Sequence, residues 1–547
     1  MRTLYYNGSL YTGDPENPEA GAMVVENGEI LWAGGKPGER LAWEEIFGED
    51  VPEHKVDLKG RFVTSGFIDS HMHMVEYGKL LGEVSLADHT GSLKEVCDRV
   101  KEFIKENQIP KGTWVCGRGW NQDYFQDEKR FITCRDLDQV SAEHPIFLAR
   151  ACGHVVSVNS KAMELAGVTR ETTQPSDGRF QVDHEGEPNG VFEENGISLV
   201  KDAIPPVTIQ KVKEFILAAQ RALNSFGITT VHTDDFLSLN GVDYEMVLRA
   251  YRELEEEGRL TIKICEQSQF ENLEQLKEFA GKGYHTGAGT DYVRIGPLKI
   301  ISDGSLGART AFLSEPYADK RDTRGIAVLT QEELDQMISY AHGRGMQAAV
   351  HAIGDGSMEM VVRSFEKCLE EMPRQDHRHG IVHCQITTKP LLEKIKELSL
   401  HTYAQSIFLD YDSKIVESRV GRERAGDTYQ FGTLFHMGQG LSNGSDCPVE
   451  TPNVMKGIQC AVTRTSLDGA RTFLPKEALT VEEALASYTV MGARASFEER
   501  KKGMLKKGMK ADFVVLSENL LETPPDKLGQ VLVEQTYVDG ICVYERH

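Results

Sequence analysis

Gly66-Phe67-Ile68-Asp69-Ser70-His71-Met72-His73 is an apolar run that ends in two histidines one residue apart. On a β-strand residues i and i+2 point to the same face, so the imidazoles of His71 and His73 project side by side. Such a pair can share a metal ion or sit as two hydrogen-bonded core histidines, and the spacing alone does not choose between them. The rest of the chain decides.

Three more strand-like runs end in a residue fit to bind a metal: His351 after Ala348-Ala349-Val350, His383 after Gly380-Ile381-Val382, and Asp446 in Gly440-Leu441-Ser442-Asn443-Gly444-Ser445-Asp446. A fourth, Arg294 to Gly304, places Lys299 in an apolar strand, and Gly227 to His232 reads as another strand. Helical patterns over Gln331 to Arg344 and Ser357 to Met372 separate some of these runs. Strands alternating with helices argue for βα units, a parallel sheet and the α/β class, and so many of them predict a (β/α)8 TIM barrel. A doubly wound sheet is the alternative, but no Gly-rich dinucleotide loop supports it. On a barrel, four histidines and an aspartate at successive strand ends converge on one rim. Imidazole and carboxylate together suit zinc and similar divalent ions. A bound ion brings the pKa of its water to about 7 and makes a hydroxide nucleophile, whose proton Asp446 can accept and pass to a leaving group.

The two ends of the chain read differently. Ala22 to Val25 and Glu29 to Ala33 flank Asn27-Gly28, a turn signal for a β-hairpin, and Gln535 to Tyr544 repeats the pattern around Asp539-Gly540. Each end has too few strands for a stable sheet, so the termini are predicted to pair into one small β-domain, residues 1–60 with 503–547, around a barrel domain of 61–502. About 150 residues separate His73 from the strand that ends at His232, far more than a βα connection needs, and 80–226 is read as an insertion subdomain after barrel strand 1.

Composition narrows the function classes. The net charge of −23 repels a phosphate backbone, so nucleic acid is excluded as a partner. No run of 18 apolar residues and no apolar signal core is present, which speaks against membrane spanning and secretion. The ten cysteines form no C-x-x-C pair and read as reduced thiols of a cytoplasmic protein.

In the order His71-x-His73, Lys299, His351, His383, Asp446, the chain resembles the amidohydrolase superfamily. Gly444-Ser445-Asp446 with Pro448 and Gly508-Met509-Lys510-Ala511-Asp512-Phe513 carry the same resemblance. Asp303-Gly304-Ser305-Leu306-Gly307, His351 to Asp355, Gly153-His154 and Asn159-Ser160 point to its YtcJ-like branch, which includes N-substituted formamide deformylase. The resemblance implies a metal-dependent hydrolase on a TIM barrel with a small β-sandwich built from both termini. It also implies two zinc ions per chain, bridged by a carboxylated Lys299, with His71, His73 and Asp446 on one ion and His351 and His383 on the other. The reaction implied is hydrolysis of a C–N amide-type bond in a small N-acyl or N-formyl compound.

Two alternatives stay open: a mononuclear deaminase or cyclic-amide hydrolase of the same fold, and a small-molecule binding or regulatory protein without turnover. Trp120, His154, His232, Asp303 and Arg309 are the candidate substrate contacts, each equally readable as a packing or orienting residue. Assembly into a homo-oligomer is left open.

Overall fold

The computed structural model describes residues 2–39, 42–50 and 52–547. Of the predicted β-domain, positions 1, 40, 41 and 51 therefore lie outside the described residues. The chain divides into two compact units, Met1–Tyr77 with Val212–His547, and Gly78–Lys211.

An eight-stranded parallel sheet forms the centre of the first unit and fits a TIM barrel. Its strands in chain order are β1 (Phe67–Met72), β2 (Ile228–Thr233), β3 (Lys263–Gln269), β4 (Val293–Ile301), β5 (Ala348–Ala352), β6 (Gly380–His383), β7 (His401–Ala404) and β8 (Leu441–Asn443). Each pairs with its neighbour in sequence order. The first and last strands meet just beyond β8, where Asp446 N–H donates to the His71 carbonyl at 2.8 Å and His73 N–H donates to the Cys447 carbonyl at 2.7 Å. Most strand residues are buried, as parallel strands covered on both faces must be. Helices Gln331–Gly343 and Asp355–Glu371 flank β5. The first opens on a capping box, in which Thr330 and Glu333 satisfy each other's backbone N–H groups.

Two further sheets of this unit come from the chain ends, the first from the N-terminal segment alone and the second from both. One holds Arg2–Tyr6, Ala22–Glu26, Glu29–Gly34 and His54–Asp57. The other runs from Glu19–Ala20 through Ser9–Tyr11, Phe62–Ser65, Phe513–Leu516 and Val533–Val538 to Ile541–Glu545. Asn27 and Gly28 take φ of 50° and 82°, Asp539 and Gly540 take 47° and 72°, and each pair closes an antiparallel hairpin. Tyr5, Met23, Ile30, Val63, Phe513 and Tyr537 share one buried cluster, so strands about 500 residues apart in sequence bury their apolar faces together.

The second unit has its own six-stranded sheet, from Gly178–Val182 through Pro188–Glu194, Val155–Val158, Ile146–Arg150 and Val115–Trp120 to Val84–Ser85. It ends at Lys211, where the sequence reading carried the insertion to 226. The difference is helix Ile209–Ser225, which buries Val212, Ile216 and Leu223 and runs directly into β2. Among the described residues no helix is long and apolar enough to cross a membrane.

Candidate metal centre

The residues at the C-terminal strand ends converge. β1 carries His71 and, one residue past its end, His73; Asp446 arrives from the turn after β8. The Nε2 atoms of His71 and His73 each lie 3.2 Å from Asp446 Oδ1, and the three ligand atoms lie within 4.8 Å of one another. Two donors at about 2.0–2.1 Å from one tetrahedral zinc stand roughly 3.3 Å apart, so this donor set fits such an ion in both chemistry and spacing.

The outer nitrogens are already committed. His71 Nδ1–H donates to Gln267 Oε1 at 2.6 Å and His73 Nδ1–H donates to the Asp234 carbonyl at 3.0 Å, which turns both Nε2 atoms toward Asp446. His383 Nδ1–H donates to Gln405 Oε1 at 2.7 Å, leaving its Nε2 as the donor atom. His351 is turned the other way. Its Nε2 lies 3.2 Å from the Gly304 carbonyl and 3.3 Å from Asp303 Oδ1, which leaves Nδ1. The His383 ring centroid is 5.7 Å from that of His71 and 4.4 Å from that of His351. Four imidazoles and one carboxylate thus share the rim. Lys299 on β4 is buried, with Nζ 3.3 Å from Asp234 Oδ2.

The buried groups respond unequally to one another's charge. Burial and the nearby Lys299 bring the His71 imidazole down to about 4. Burial opposes charge on His73 too, yet the Asp446 carboxylate bonded to it raises His73 to about 9. Burial likewise works against ionised Asp446, but its bonds to His71 and His73 hold it well below the usual carboxylate range. The backbone is strained here as well. Asp446, His383 and Cys384 take φ of 55°, 74° and 51°, a left-handed conformation that costs non-glycine residues on the order of 1–3 kcal/mol each and clusters at functional sites.

The five candidate substrate contacts fare differently. His232 is buried on β2, its Nε2 has no hydrogen-bond partner, and burial lowers its pKa to about 3; at 1% exposure it does not face an open pocket. Asp303 is an anchor, since its carboxylate accepts the N–H groups of Phe312, Ile353 and Gly354 at 2.8–3.1 Å while contacting His351. Arg309 pairs with Asp319 through two bonds of 3.0 and 2.7 Å. In the second unit Trp120 is a core residue, packed with Phe125 and Phe131 and donating its indole N–H to the Leu148 carbonyl at 3.0 Å. His154 is exposed there and bonded to Glu194.

Several residues that shape the centre escaped the sequence reading. Gln267, Gln405 and Asp234 hold the ligands directly. Asp69 accepts from Ser445 Oγ at 2.6 Å and from the N–H groups of Ser445 and His71 at 3.0 and 3.2 Å, tying the two ligand-bearing strand ends together. Burial pushes its carboxyl up to about 7. Its signal was available, because Asp69 shares the i, i+2 face with His71 and His73.

The family model described as "Amidohydrolase family" matches residues 55–544. The chain is 32% identical to the "Putative amidohydrolase YtcJ" of Bacillus subtilis (strain 168), with 100% of both chains covered. It is 24% identical to the N-substituted formamide deformylase of Arthrobacter pascens, over 100% of this chain and 99% of that one. The crystal structure of an uncharacterized metal-dependent hydrolase from Pyrococcus furiosus is 31% identical and gives a TM-score of 0.76, covering 95% of this chain and all of that one.

Proposed function

This chain belongs to the amidohydrolase family, and from that premise we propose that it hydrolyses a C–N amide-type bond in a small N-acyl or N-formyl compound. The observation that carries the proposal is the placement of His71, His73 and Asp446 around one point, with His351 and His383 beside them. The N-formyl preference draws on the similarity to N-substituted formamide deformylase. The two sheets built from the termini are read as the β-sandwich that accompanies the barrel.

His71, His73 and Asp446 would hold one divalent ion, with His383 Nε2 and His351 Nδ1 available to a second; zinc suits these donors. When bound, such an ion supplies an activated water and polarises the scissile carbonyl. The chain's own contribution is positional. Gln267, Gln405 and the Asp234 carbonyl fix the histidine tautomers, and Asp446 would face the same ion as the two Nε2 atoms through Oδ1 while Oδ2 takes the proton of the attacking water and returns it to the leaving nitrogen. In the two-ion form Lys299 would be carboxylated. A one-ion form is the second reading, favoured by the contact of Lys299 Nζ with Asp234. The free state of all ten cysteines accords with a reducing, cytoplasmic setting.

The test is metal analysis of the purified protein followed by a substrate panel of N-substituted formamides, longer N-acyl amines, cyclic amides and aminated heterocycles. We expect bound divalent metal, hydrolysis of the formamides or N-acyl amines, and its loss in Asp446→Asn. Turnover unchanged in Asp446→Asn would overturn the reading. Ammonia release from the heterocycles alone would replace it with a deaminase.

A further inference from the structure

We infer that Gln267 and Gln405 are a matched pair of positioning residues that hold His71, a donor to the first ion, and His383, a donor to the second, with neutral oxygens and so keep the metal centre electrophilic. The inference rests on the metal-dependent reading above.

Both glutamines are buried, Gln267 at 0% and Gln405 at 1% exposure, and each makes the same two contacts. Gln267 Oε1 accepts from His71 Nδ1–H at 2.6 Å while its amide nitrogen donates to the Ser70 carbonyl at 3.0 Å. Gln405 Oε1 accepts from His383 Nδ1–H at 2.7 Å while its nitrogen donates to the Tyr403 carbonyl at 3.0 Å. The backbone carbonyls fix the amide orientation, because a flipped amide would set oxygen against oxygen and nitrogen against an N–H. So each imidazole is committed to the tautomer with Nδ1 protonated and Nε2 free. The remaining histidine of the β1 pair follows the same rule with a different group, since His73 Nδ1–H donates to the Asp234 carbonyl.

These three acceptors are uncharged, whereas His351 Nε2 faces the Asp303 carboxylate at 3.3 Å, so the neutral hold is confined to His71, His73 and His383. A carboxylate in that position pulls on the Nδ1 proton, makes the imidazole a stronger donor and moves electron density onto the ion. A neutral amide orients the ring without that transfer. In this cluster Asp446 is therefore the charged ligand, and the Asp234 carboxylate is turned to Lys299 instead. The consequence is an ion bound less tightly and left with more of its positive charge for polarising a carbonyl.

Gln→Glu and Gln→Leu changes separate this role from a packing role, because they have opposite expected signs. Affinity is measured on the full-length protein with Co2+ in competition with a chelator at mildly alkaline pH, where a new carboxyl is ionised, and the Co2+ absorption band is recorded. Gln267→Glu and Gln405→Glu are each expected to tighten Co2+ about tenfold, to shift the band and to lower kcat. Gln405→Leu is expected to weaken binding by about 10–100-fold. Weakening in both the Glu and Leu variants would show that the glutamines only fill space and would overturn the inference. Unchanged affinity and band in the Glu variants would overturn it too, and those variants keep the test decisive if a Leu variant does not fold. Wild-type protein that takes up no Co2+ would instead overturn the metal-dependent reading itself.

Discussion

Lys299 Nζ and Asp234 Oδ2 lie 3.3 Å apart, and both side chains are at most 2% exposed. An ion pair so far from water is held by mutual need, because removing one partner leaves the other as an uncompensated buried charge. Lys299→Met is therefore expected to lower stability by about 3–5 kcal/mol in urea unfolding. Adding Asp234→Asn to that variant is expected to restore part of the loss. A Lys299→Met protein as stable as wild type would mean that Asp234 has another cation.

Ligand removal gives an independent check on the centre. Any ion that binds only the folded chain stabilises it by mass action, about 4 kcal/mol at a thousandfold excess over Kd. Thermal unfolding of wild-type protein is expected to move to lower temperature when a chelator strips the ion and to recover on re-addition of Zn2+. In Asp446→Asn, which lacks the carboxylate shared by His71 and His73, the chelator is expected to change little. A Zn2+ effect that persists in full in that variant would place the ion elsewhere.

How far this centre was legible in the sequence depended on what each strand carries inward. β1, β5 and β6 announce themselves, because an apolar run ends in a histidine. β3 and β7 do not. In β3 the buried residues Glu266, Gln267 and Ser268 interrupt any apolar pattern, and they are tolerated because partners from other strands satisfy most of them. The outer ring of contacts was hidden for a related reason: His71 and Gln267 are 196 residues apart, and nothing local marks them as a pair. Trp120 illustrates the opposite case: from the sequence it reads equally as a substrate contact or a packing residue, and its partners Phe125, Phe131 and Leu148 make it part of the second unit's core.

The β3 strand also begins on a buried cation that joins the barrel to the C-terminal strands. Lys263 Nζ donates to both Asp512 oxygens at 2.9 and 2.7 Å and to Asp539 at 2.8 Å, while Asp539 N–H donates back to Asp512. Burial disfavours the charged amine, but Asp512 and Asp539 hold its pKa above the ordinary lysine value. This explains the aspartate in Gly508 to Phe513 as a brace, not a catalytic group. Lys263→Met leaves two carboxylates without their counter-charge and is expected to cost about 3–5 kcal/mol. Guanidinium unfolding measures the loss, and hydrogen exchange at Phe513–Leu516 is expected to rise with it. Unaltered exchange there would show that the brace does not hold the C-terminal strand.

Acid sensitivity is expected from a second group of histidines, where β5 and β6 begin. His379 Nδ1 accepts the Ala348 N–H at 2.9 Å, so its proton sits on Nε2 and is given to His342 Nδ1 at 2.8 Å. His342 passes its own Nε2–H to the Met372 carbonyl at 2.8 Å. His377 Nδ1 accepts the His379 N–H at 2.9 Å and its Nε2–H goes to the Leu398 carbonyl at 3.0 Å. Every ring nitrogen is used in the neutral form, and a further proton has to displace a backbone N–H or the neighbouring ring. Burial lowers the pKa of all three and Arg374 lowers them further, against opposing pulls from the Leu398 carbonyl and Asp376 on His377 and from the Met372 carbonyl on His342. A base whose pKa is lower folded than unfolded takes up protons on unfolding. Its stability contribution is therefore full above the unfolded value of about 6.5 and is lost as the pH falls through the folded values. Unfolding free energy is expected to fall below about pH 6.5, by up to roughly 1.4 kcal/mol per pH unit for each proton taken up. His377→Gln offers the same acceptor and donor without a titrating ring, so its profile is expected to be shallower than wild type by up to one proton. Superimposable profiles for the two proteins would remove His377 from the acid response.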